Sequence, residues 1–180
     1  MAARPLTKGE ITLAKTIFKD SINYDSVHIH DKKYIFFQPK NTTMSPNGHI
    51  YACDNYCSDF SIENSSTKAH FIHEMTHVWQ VQNKILNPKI SAIKEQIKHK
   101  FNYAKSYKYE LDQKKDLLDY GMEQQARIIE DYYFLKSELP HVFNNDHKED
   151  FEAVLQNFLK DPSYKNRFPR KKLSSPKFPK

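Results

Sequence analysis

The sequence predicts an α+β domain in which a small antiparallel sheet packs against two helices. Three segments rich in β-branched and aromatic residues lie within the first 60 residues, at 27–30, 33–38 and 49–52. A long, mostly uncharged helix is predicted at about 68–83, and a second helix begins near Asp119. We expect the sheet and these two helices to share one core.

The length and charge of the chain indicate one folded domain followed by a basic tail. With 180 residues, 38% hydrophobic and 28% charged, the composition is that of a soluble globular protein. The last 20 residues hold seven Lys or Arg and a single acid, so they carry the whole net charge of +6. They also hold four prolines, which favour an extended segment. We therefore assign 1–160 to the domain and 161–180 to a basic, Pro- and Lys-rich tail.

Two features bear on localisation. No apolar run approaches membrane-spanning length, so we expect no membrane span. Residues 1–7 lack the apolar core of a signal peptide. If the protein works outside its cell, we therefore expect something other than a standard secretory signal to carry it there.

The N-terminal segment predicts a helix followed by strands. Thr7 and Glu10 form the T-x-x-E pattern of a capping box, and the apolar residues after them predict a helix to about Lys19. Segments 27–30 and 33–38 are predicted strands that a tight turn joins. This helix is expected to cover the core.

The third predicted strand, at 49–52, follows a strong turn signal at 45–48. It lies just before the central helix, so we expect it to form a sheet edge along which an extended peptide can add. His28 and His30 alternate onto one face of the predicted sheet. We interpret these two histidines as polar surface.

Further helices are predicted along the rest of the chain. Candidate N-caps for the central helix are Ser65, Ser66 and Thr67. After the break at Asn87-Pro88, the pattern predicts helices at 90–101, 119–133 and 148–160, with Asp119 as the cap of the second. Alternating residues predict a short strand at 107–111.

The central helix contains the pattern H-E-x-x-H, formed by His73, Glu74 and His77. Residues four apart lie one turn above each other on a helix, so both imidazoles can reach one zinc ion. Zinc hydrolases divide the work in this way: histidines hold the metal, and the neighbouring carboxylate takes a proton from water. The alternative is a core helix whose histidines only make hydrogen bonds.

A catalytic zinc site needs a third protein ligand. The extended motif H-E-x-x-H-x-x-G-x-x-H is excluded because Gln80 and Asn83 stand at its last Gly and His positions. A glutamate on the helix at 119–133 remains, with Glu123 as the candidate and Glu130 in reserve. The alternative for Glu123 is an ordinary first-turn acid that the helix dipole favours, and we expect the ligand.

Other nearby residues are less suitable as ligands. His70 and His77 lie about 10 Å apart along a helix axis, too far for both to bind one zinc ion. Cys53 and Cys57 are too sparse for a structural zinc site. They are either two free thiols or a small disulfide.

Several motifs together resemble the zincin-like metallopeptidase toxin domains of type VI secretion systems, which occur at the C-termini of valine-glycine-repeat spike proteins and in related polymorphic toxins. The resemblance covers roughly residues 4–135. It rests on Arg4-Pro5-Leu6-Thr7-x-Gly9-Glu10, Val27-x-Ile29-His30, Met44-x-Pro46-Asn47-Gly48-x-Ile50-Tyr51, Asp59-Phe60-Ser61, residues 73–80 and Asp119-Tyr120-Gly121-x-Glu123-Gln124-Gln125-Ala126.

The resemblance implies a zincin-like fold and a set of roles. His73, His77 and Glu123 correspond to the family's zinc ligands, and Glu74 to its catalytic glutamate. The implied function is a zinc-dependent metallopeptidase that a secretion spike protein delivers by contact into a rival bacterium. It would cleave a protein or peptide of the target cell envelope in the periplasm, and a cognate immunity protein would guard the producer.

The resemblance leaves two parts of the site open. Arg127 stands where the wider group of glutamate zincins has an acid, so the partners that orient the histidines are not defined. Candidate groups for stabilising an oxyanion are Tyr120, Tyr132, Tyr133, His141 and Arg127.

The rival interpretation is a nucleic-acid-associated module with a structural zinc site, whose basic tail at 161–180 is the functional part. Nucleic-acid binding by the tail should weaken steeply with salt, whereas hydrolysis should vanish on chelation. We expect the enzyme and regard nucleic acid as an improbable partner.

Overall fold

The computed structural model describes residues 3–85, 107–137 and 148–165. These ranges contain a three-stranded sheet and four α-helices, an α+β arrangement as predicted. The strands are β1 (Arg4–Pro5), β2 (His28–His30) and β3 (Ile50–Tyr51), and the helices are α1 (Lys8–Phe18), α2 (Ser65–Gln82), α3 (Met122–Lys136) and α4 (Lys148–Lys160).

Helix α1 begins with the predicted capping box. The Glu10 backbone N–H donates to Thr7 Oγ1 at 3.0 Å, and the Glu10 carboxylate accepts from the Thr7 N–H at 2.8 Å. Glu10 is fully buried, and Arg4 satisfies its charge with two hydrogen bonds of 2.8 Å. Glu10 also accepts from the Phe60 N–H, so this one carboxylate ties β1, α1 and the turn before α2 together.

The sheet has the order β1-β2-β3 and is mixed, which corrects the antiparallel prediction. Strands β1 and β2 pair antiparallel, whereas β2 and β3 pair parallel with Ile29 opposite Ile50. Parallel neighbours need a crossover rather than a hairpin. Residues 31–49 provide that crossover, so the tight turn predicted between 27–30 and 33–38 does not form a hairpin.

The strand predicted at 33–38 was wrong, because these residues form turns around the buried Gln38. The Gln38 side chain accepts from the Tyr34 N–H at 2.7 Å and donates to the Thr42 carbonyl at 2.6 Å. The side chain therefore satisfies backbone groups that a strand would pair with another strand.

Strand β3 lies at an edge of the sheet, as predicted for 49–52, and peptide addition along this edge stays a prediction. Met44 forms a bridge with Tyr51, through N–H···O bonds of 3.2 and 2.9 Å in the two directions. The chain's own backbone thus occupies the edge of β3 at Tyr51.

Helix α2 starts three residues earlier than predicted, and its N-cap is Asn64, whose side chain accepts from the Thr67 N–H. Helix α3 begins after Gly121, whereas Asp119 belongs to a short 3-10 turn. Helix α4 has its predicted bounds. The strand predicted at 107–111 is irregular, and the helix predicted at 90–101 lies outside the described residues.

The first residues of the assigned tail pack against the domain. Trp79 lies fully buried in α2, and its Nε1–H donates to the Pro162 carbonyl at 2.7 Å. Tyr164 is only 3% exposed, and its hydroxyl donates to Asp116. Folded structure in the described chain thus continues to at least Lys165, beyond the boundary assigned at 160.

Two further features concern the predictions above. Cys53 and Cys57 are free thiols, so no disulfide joins them in this structure. Among the described helices, none is long and apolar enough to cross a membrane.

Candidate metal centre

Helices α2 and α3 position the candidate site by packing closely along their length. Ala126 and Ile129 of α3 are fully buried, as is Met75 of α2. Gln80 then fixes the helices in register, since its amide donates to the Met122 carbonyl and to Gln125 Oε1, both at 3.0 Å. The first turn of α3 therefore faces the last two turns of α2.

This packing brings His73, His77 and Glu123 together. Glu123 Oε2 lies 3.5 Å from His73 Nε2 and 3.3 Å from His77 Nε2. The three ligand atoms all lie within 4.8 Å of one another. The structure thus joins the three residues that the sequence analysis named as metal ligands.

The outer nitrogen of each histidine has an acceptor that orients the ring. His73 Nδ1 lies 3.1 Å from Glu130 Oε2, and His77 Nδ1 lies 2.9 Å from Gln80 Oε1. A carboxylate and an amide oxygen only accept, so each Nδ1 carries the proton. Nε2 of each ring faces Glu123, and in the neutral ring it is the nitrogen that can bind a metal, as in metal-binding histidines.

The roles of Glu130 and Gln80 were not recognised in the sequence. Glu130, named as the reserve ligand, contacts the outer nitrogen of His73 instead of the centre of the cluster. Arg127 binds Glu130 at 3.2 Å and Asp131 at 3.1 Å, which holds the Glu130 carboxylate in place. The available signal was spacing, because Glu130 lies seven residues after Glu123 and therefore shares its helix face.

The charges of this cluster are mutually dependent. Burial opposes protonation of His73, but the carboxylates of Glu123 and Glu130 outweigh it and raise the pKa of His73 to about 10. Burial likewise opposes protonation of His77, and Glu123 raises its pKa. Burial would raise the pKa of Glu123, yet the two histidines lower it. A positive charge is therefore favoured at the point where these side chains meet.

The donor set fits a zinc ion. Two imidazole nitrogens and one carboxylate oxygen form one of the ligand combinations of catalytic zinc, which leaves a position for water. Glu123 Oε2 is buried, and no hydrogen-bond donor in the described chain reaches it. A cation at the meeting point would satisfy this oxygen.

Glu74 lies beside the cluster without joining it. Its side chain is buried, and the Ser45 hydroxyl donates to Glu74 Oε2 at 2.7 Å. Glu74 Oε1 lies 3.7 Å from His70 Nε2, which also contacts Thr43 Oγ1 at 3.0 Å. His70 therefore stays outside the ligand set, as the helix spacing predicted.

Two cavities are lined by residues that lie next to the cluster in space or in sequence. One has a volume of about 490 Å³ and is lined by residues that include His70 and Glu130. The other has a volume of about 660 Å³ and is lined by residues that include Tyr107 and Gln124. The Tyr107 ring lies 5.9 Å from the His73 ring, a neighbour that the sequence analysis missed.

The candidates for oxyanion stabilisation differ in their surroundings. Tyr120 uses its hydroxyl to accept from the Asp112 N–H at 2.9 Å and to contact the Glu110 carbonyl at 3.2 Å. Arg127 is engaged by Glu130 and Asp131. Tyr132 and Tyr133 are buried, and His141 lies outside the described residues.

The sequence is similar to that of a known protein. No known protein-family profile matches the chain. The chain is 40% identical over 159 residues to the type VI secretion system spike protein VgrG2b of Pseudomonas aeruginosa. This match covers 87% of the present chain but only 15% of the spike protein.

The solved structure of the effector domain of Pseudomonas aeruginosa VgrG2b is also similar. It aligns with a TM-score of 0.68 at 36% sequence identity, covering 87% of this chain and 82% of that one. Fold and sequence together define the class, that of domains similar to the effector domain of this spike protein. The chain belongs to the family of the VgrG2b effector domain.

Proposed function

We propose that this chain is a zinc-dependent metallopeptidase that acts as an antibacterial type VI secretion effector in the periplasm of the target bacterium. The observation that carries the proposal is the convergence of His73 Nε2, His77 Nε2 and Glu123 Oε2 within 4.8 Å. Glu74 lies immediately beside them in the sequence and is held by Ser45. A purely structural metal site has no need of this additional buried carboxylate.

The side chains divide into holding and proton-transfer roles. His73, His77 and Glu123 would hold zinc, which when bound lowers the pKa of a water molecule and polarises a substrate carbonyl. Glu74 accepts the proton of the attacking water and then donates it to the leaving amine. The Ser45 hydroxyl leaves Glu74 Oε1 as the oxygen that is available for this transfer.

The proposed substrate is a protein or peptide of the target cell envelope. The cavity of about 490 Å³ is lined by Glu130, which contacts His73, and the cavity of about 660 Å³ is lined by Gln124, which follows Glu123 in the sequence. An extended chain suits cavities near the cluster, because several of its residues can bind at once. Peptide addition along the edge of β3 stays a prediction, and Met44 already pairs with Tyr51 there.

Family membership supports delivery by contact. The relative named above is a spike protein of the type VI secretion system, and the solved structure is its effector domain. We infer that a spike protein carries the present domain into the target cell. A cognate immunity protein would then protect the producer from it.

Expression of the chain in a susceptible bacterium, with and without a secretory signal, tests the proposal. Wild-type protein should kill when it is exported to the periplasm and should be tolerated in the cytoplasm. Glu74→Ala should be harmless in both compartments, because it removes the proton acceptor and leaves the metal ligands. Glu149→Ala, a change at an exposed carboxylate on α4, is the matched control and should kill like wild type.

Two outcomes would contradict parts of the proposal. Killing by exported Glu74→Ala at the wild-type level would exclude hydrolysis as the cause. Equal killing from the cytoplasm would exclude the periplasm as the required compartment.

A further inference from the structure

Three of the four exposed large apolar side chains in the described chain lie in one loop. Residues 31–40, the aromatic loop, present Tyr34, Phe36 and Phe37, which are 39%, 95% and 59% exposed. The fourth, Ile62, is 76% exposed and lies in a separate turn before α2. Clustered apolar exposure of this kind marks an interaction surface more often than single exposed residues do.

Hydrogen bonds of Gln38 hold the loop in this shape, and the Tyr34 ring adds an edge contact with Tyr51 at 4.9 Å between ring centroids. Gln38 is 1% exposed; its side chain accepts from the Tyr34 N–H, and its N–H donates to the Ile35 carbonyl at 3.0 Å. The Gln38 amide also donates to the Thr42 carbonyl at 2.6 Å. The backbone thus directs Phe36 into solvent. There the ring contributes no buried area to folding.

Basic side chains flank the exposed rings. Lys32, Lys33 and Lys40 are all exposed within the same loop, whereas Asp31 is its only acid. Exposed lysines are complementary to a negatively charged surface, and exposed aromatic rings are complementary to an apolar layer beneath that surface.

We propose that the aromatic loop docks on the surface of an anionic lipid bilayer. Aromatic side chains favour the interface between headgroups and acyl chains. Lysines near an anionic leaflet add attraction that salt weakens. Phe36 projects almost entirely into solvent, which suits insertion into a fluid surface. The proposal does not depend on catalysis.

Docking would also bring the candidate metal centre to the membrane. The loop continues through Thr42 and Thr43 to Ser45, which donates to Glu74. Thr43 itself contacts His70 of α2 at 3.0 Å. A protein bound through the loop therefore holds its site close to the bilayer surface.

Vesicle flotation with the full 180-residue chain tests the proposal. The probes are vesicles of phosphatidylcholine alone and of phosphatidylcholine mixed with phosphatidylglycerol. Wild-type protein should bind the anionic vesicles more tightly. The double variant Phe36→Ser/Phe37→Ser should raise the dissociation constant about tenfold or more, because two exposed rings no longer insert. Lys32→Gln and Lys33→Gln should each weaken binding about fivefold.

The controls separate the loop from other causes of binding. Ile62→Ser removes a comparably exposed apolar side chain elsewhere and should leave binding unchanged. Each variant should keep the wild-type melting temperature, because the changed side chains are exposed.

Three results would overturn the proposal. Unchanged binding by Phe36→Ser/Phe37→Ser would assign attachment to the basic segment at 161–180. Equal loss with Ile62→Ser would indicate general adsorption. Failure of the wild-type chain to bind anionic vesicles, with capture of a protein partner through the loop, would assign the surface to that partner.

Discussion

Two groups of histidines in this molecule have opposite electrostatic surroundings. In the helix cluster, the His73 and His77 rings lie 5.0 Å apart and carboxylates raise the pKa of both. In the sheet cluster, the His49 ring lies 5.6 Å from His28 and 5.8 Å from His30. There, burial and neighbouring positive charges lower the pKa of His30, and burial and His28 lower that of His49.

The difference shows that grouped histidines alone do not make a metal site. Within residues 3–85, 107–137 and 148–165, His73, His77 and Glu123 form the group whose ligand atoms converge. Among the described residues, no carboxylate joins the sheet cluster in such a group, and His30 instead stacks on Tyr51 with ring centroids 4.4 Å apart. A carboxylate at the centre therefore distinguishes the helix cluster within the described chain.

The largest expected effect comes from the carboxylate beside the helix cluster. Glu74→Ala should lower hydrolysis of labelled casein by about 10²- to 10⁴-fold, since the proton acceptor is lost. Zinc content should stay at the wild-type level, because the ligands remain. His49→Ala in the sheet cluster is the control and should change neither quantity. Loss of zinc from Glu74→Ala would show that this residue is a ligand.

The two glutamates of α3 should differ in their effect on zinc affinity. Glu123→Ala should weaken affinity by more than Glu130→Ala, because the first change removes a ligand and the second only the partner of His73. For Glu130→Ala we expect a loss of about 10- to 100-fold. Competition titration with a chromogenic chelator measures both variants. The reverse order would make Glu130 the ligand.

The pH dependence of stability should separate the two clusters in chelator-treated protein. The pKa of His73 rises from 6.5 to about 10 on folding, so its contribution is present below pH 6.5 and is lost as pH rises towards 10. The pKa values of His30 and His49 fall on folding, so stability should also be lost as pH drops below 6.5.

Urea unfolding across this pH range measures the free energy of unfolding, including its loss on the acid side and on the alkaline side. His30→Gln/His49→Gln should reduce the loss of stability below pH 6.5, and Glu123→Gln should reduce the loss between pH 6.5 and 10. Saturating zinc should remove the alkaline loss, because zinc binds neutral imidazole. If the alkaline loss of stability in Glu123→Gln equals that of wild type, the electrostatic coupling of the helix cluster is contradicted.

The smallest expected effect is at Ser45, whose hydroxyl donates to Glu74. Ser45→Ala should lower kcat/KM about tenfold, the loss expected for one hydrogen bond to a charged group. Ser45→Thr keeps a hydroxyl and should recover part of the activity. An effect on KM alone would show that Ser45 contacts substrate rather than orienting Glu74.

Local periodicity explains which parts were predictable from sequence. The positions of His73 and His77 follow from helix spacing, and the Thr7 capping box and α4 follow from equally local patterns. Glu123 came from the family resemblance and from the exclusion of other ligands. Its place opposite His77 depends on the packing of α3 against α2, which no local pattern defines.

The wrong predictions of secondary structure concern segments whose backbone or side chains bind a side chain or a distant segment instead of a neighbouring strand. Gln38 satisfies the backbone of residues 34 and 42, so an apolar segment with strand composition became an exposed loop. Parallel pairing of β2 with β3 depends on the crossover between them. Pro162 and Tyr164 joined the core through hydrogen bonds to residues far away in sequence, which the basic composition of their segment did not indicate.

The most direct test is anomalous diffraction at the zinc edge from crystals of the zinc-loaded protein. The account predicts a single strong peak within bonding distance of His73 Nε2, His77 Nε2 and Glu123 Oε2, with Glu74 close by and not bound. No peak at this position, or a peak between His28, His30 and His49 instead, would contradict it.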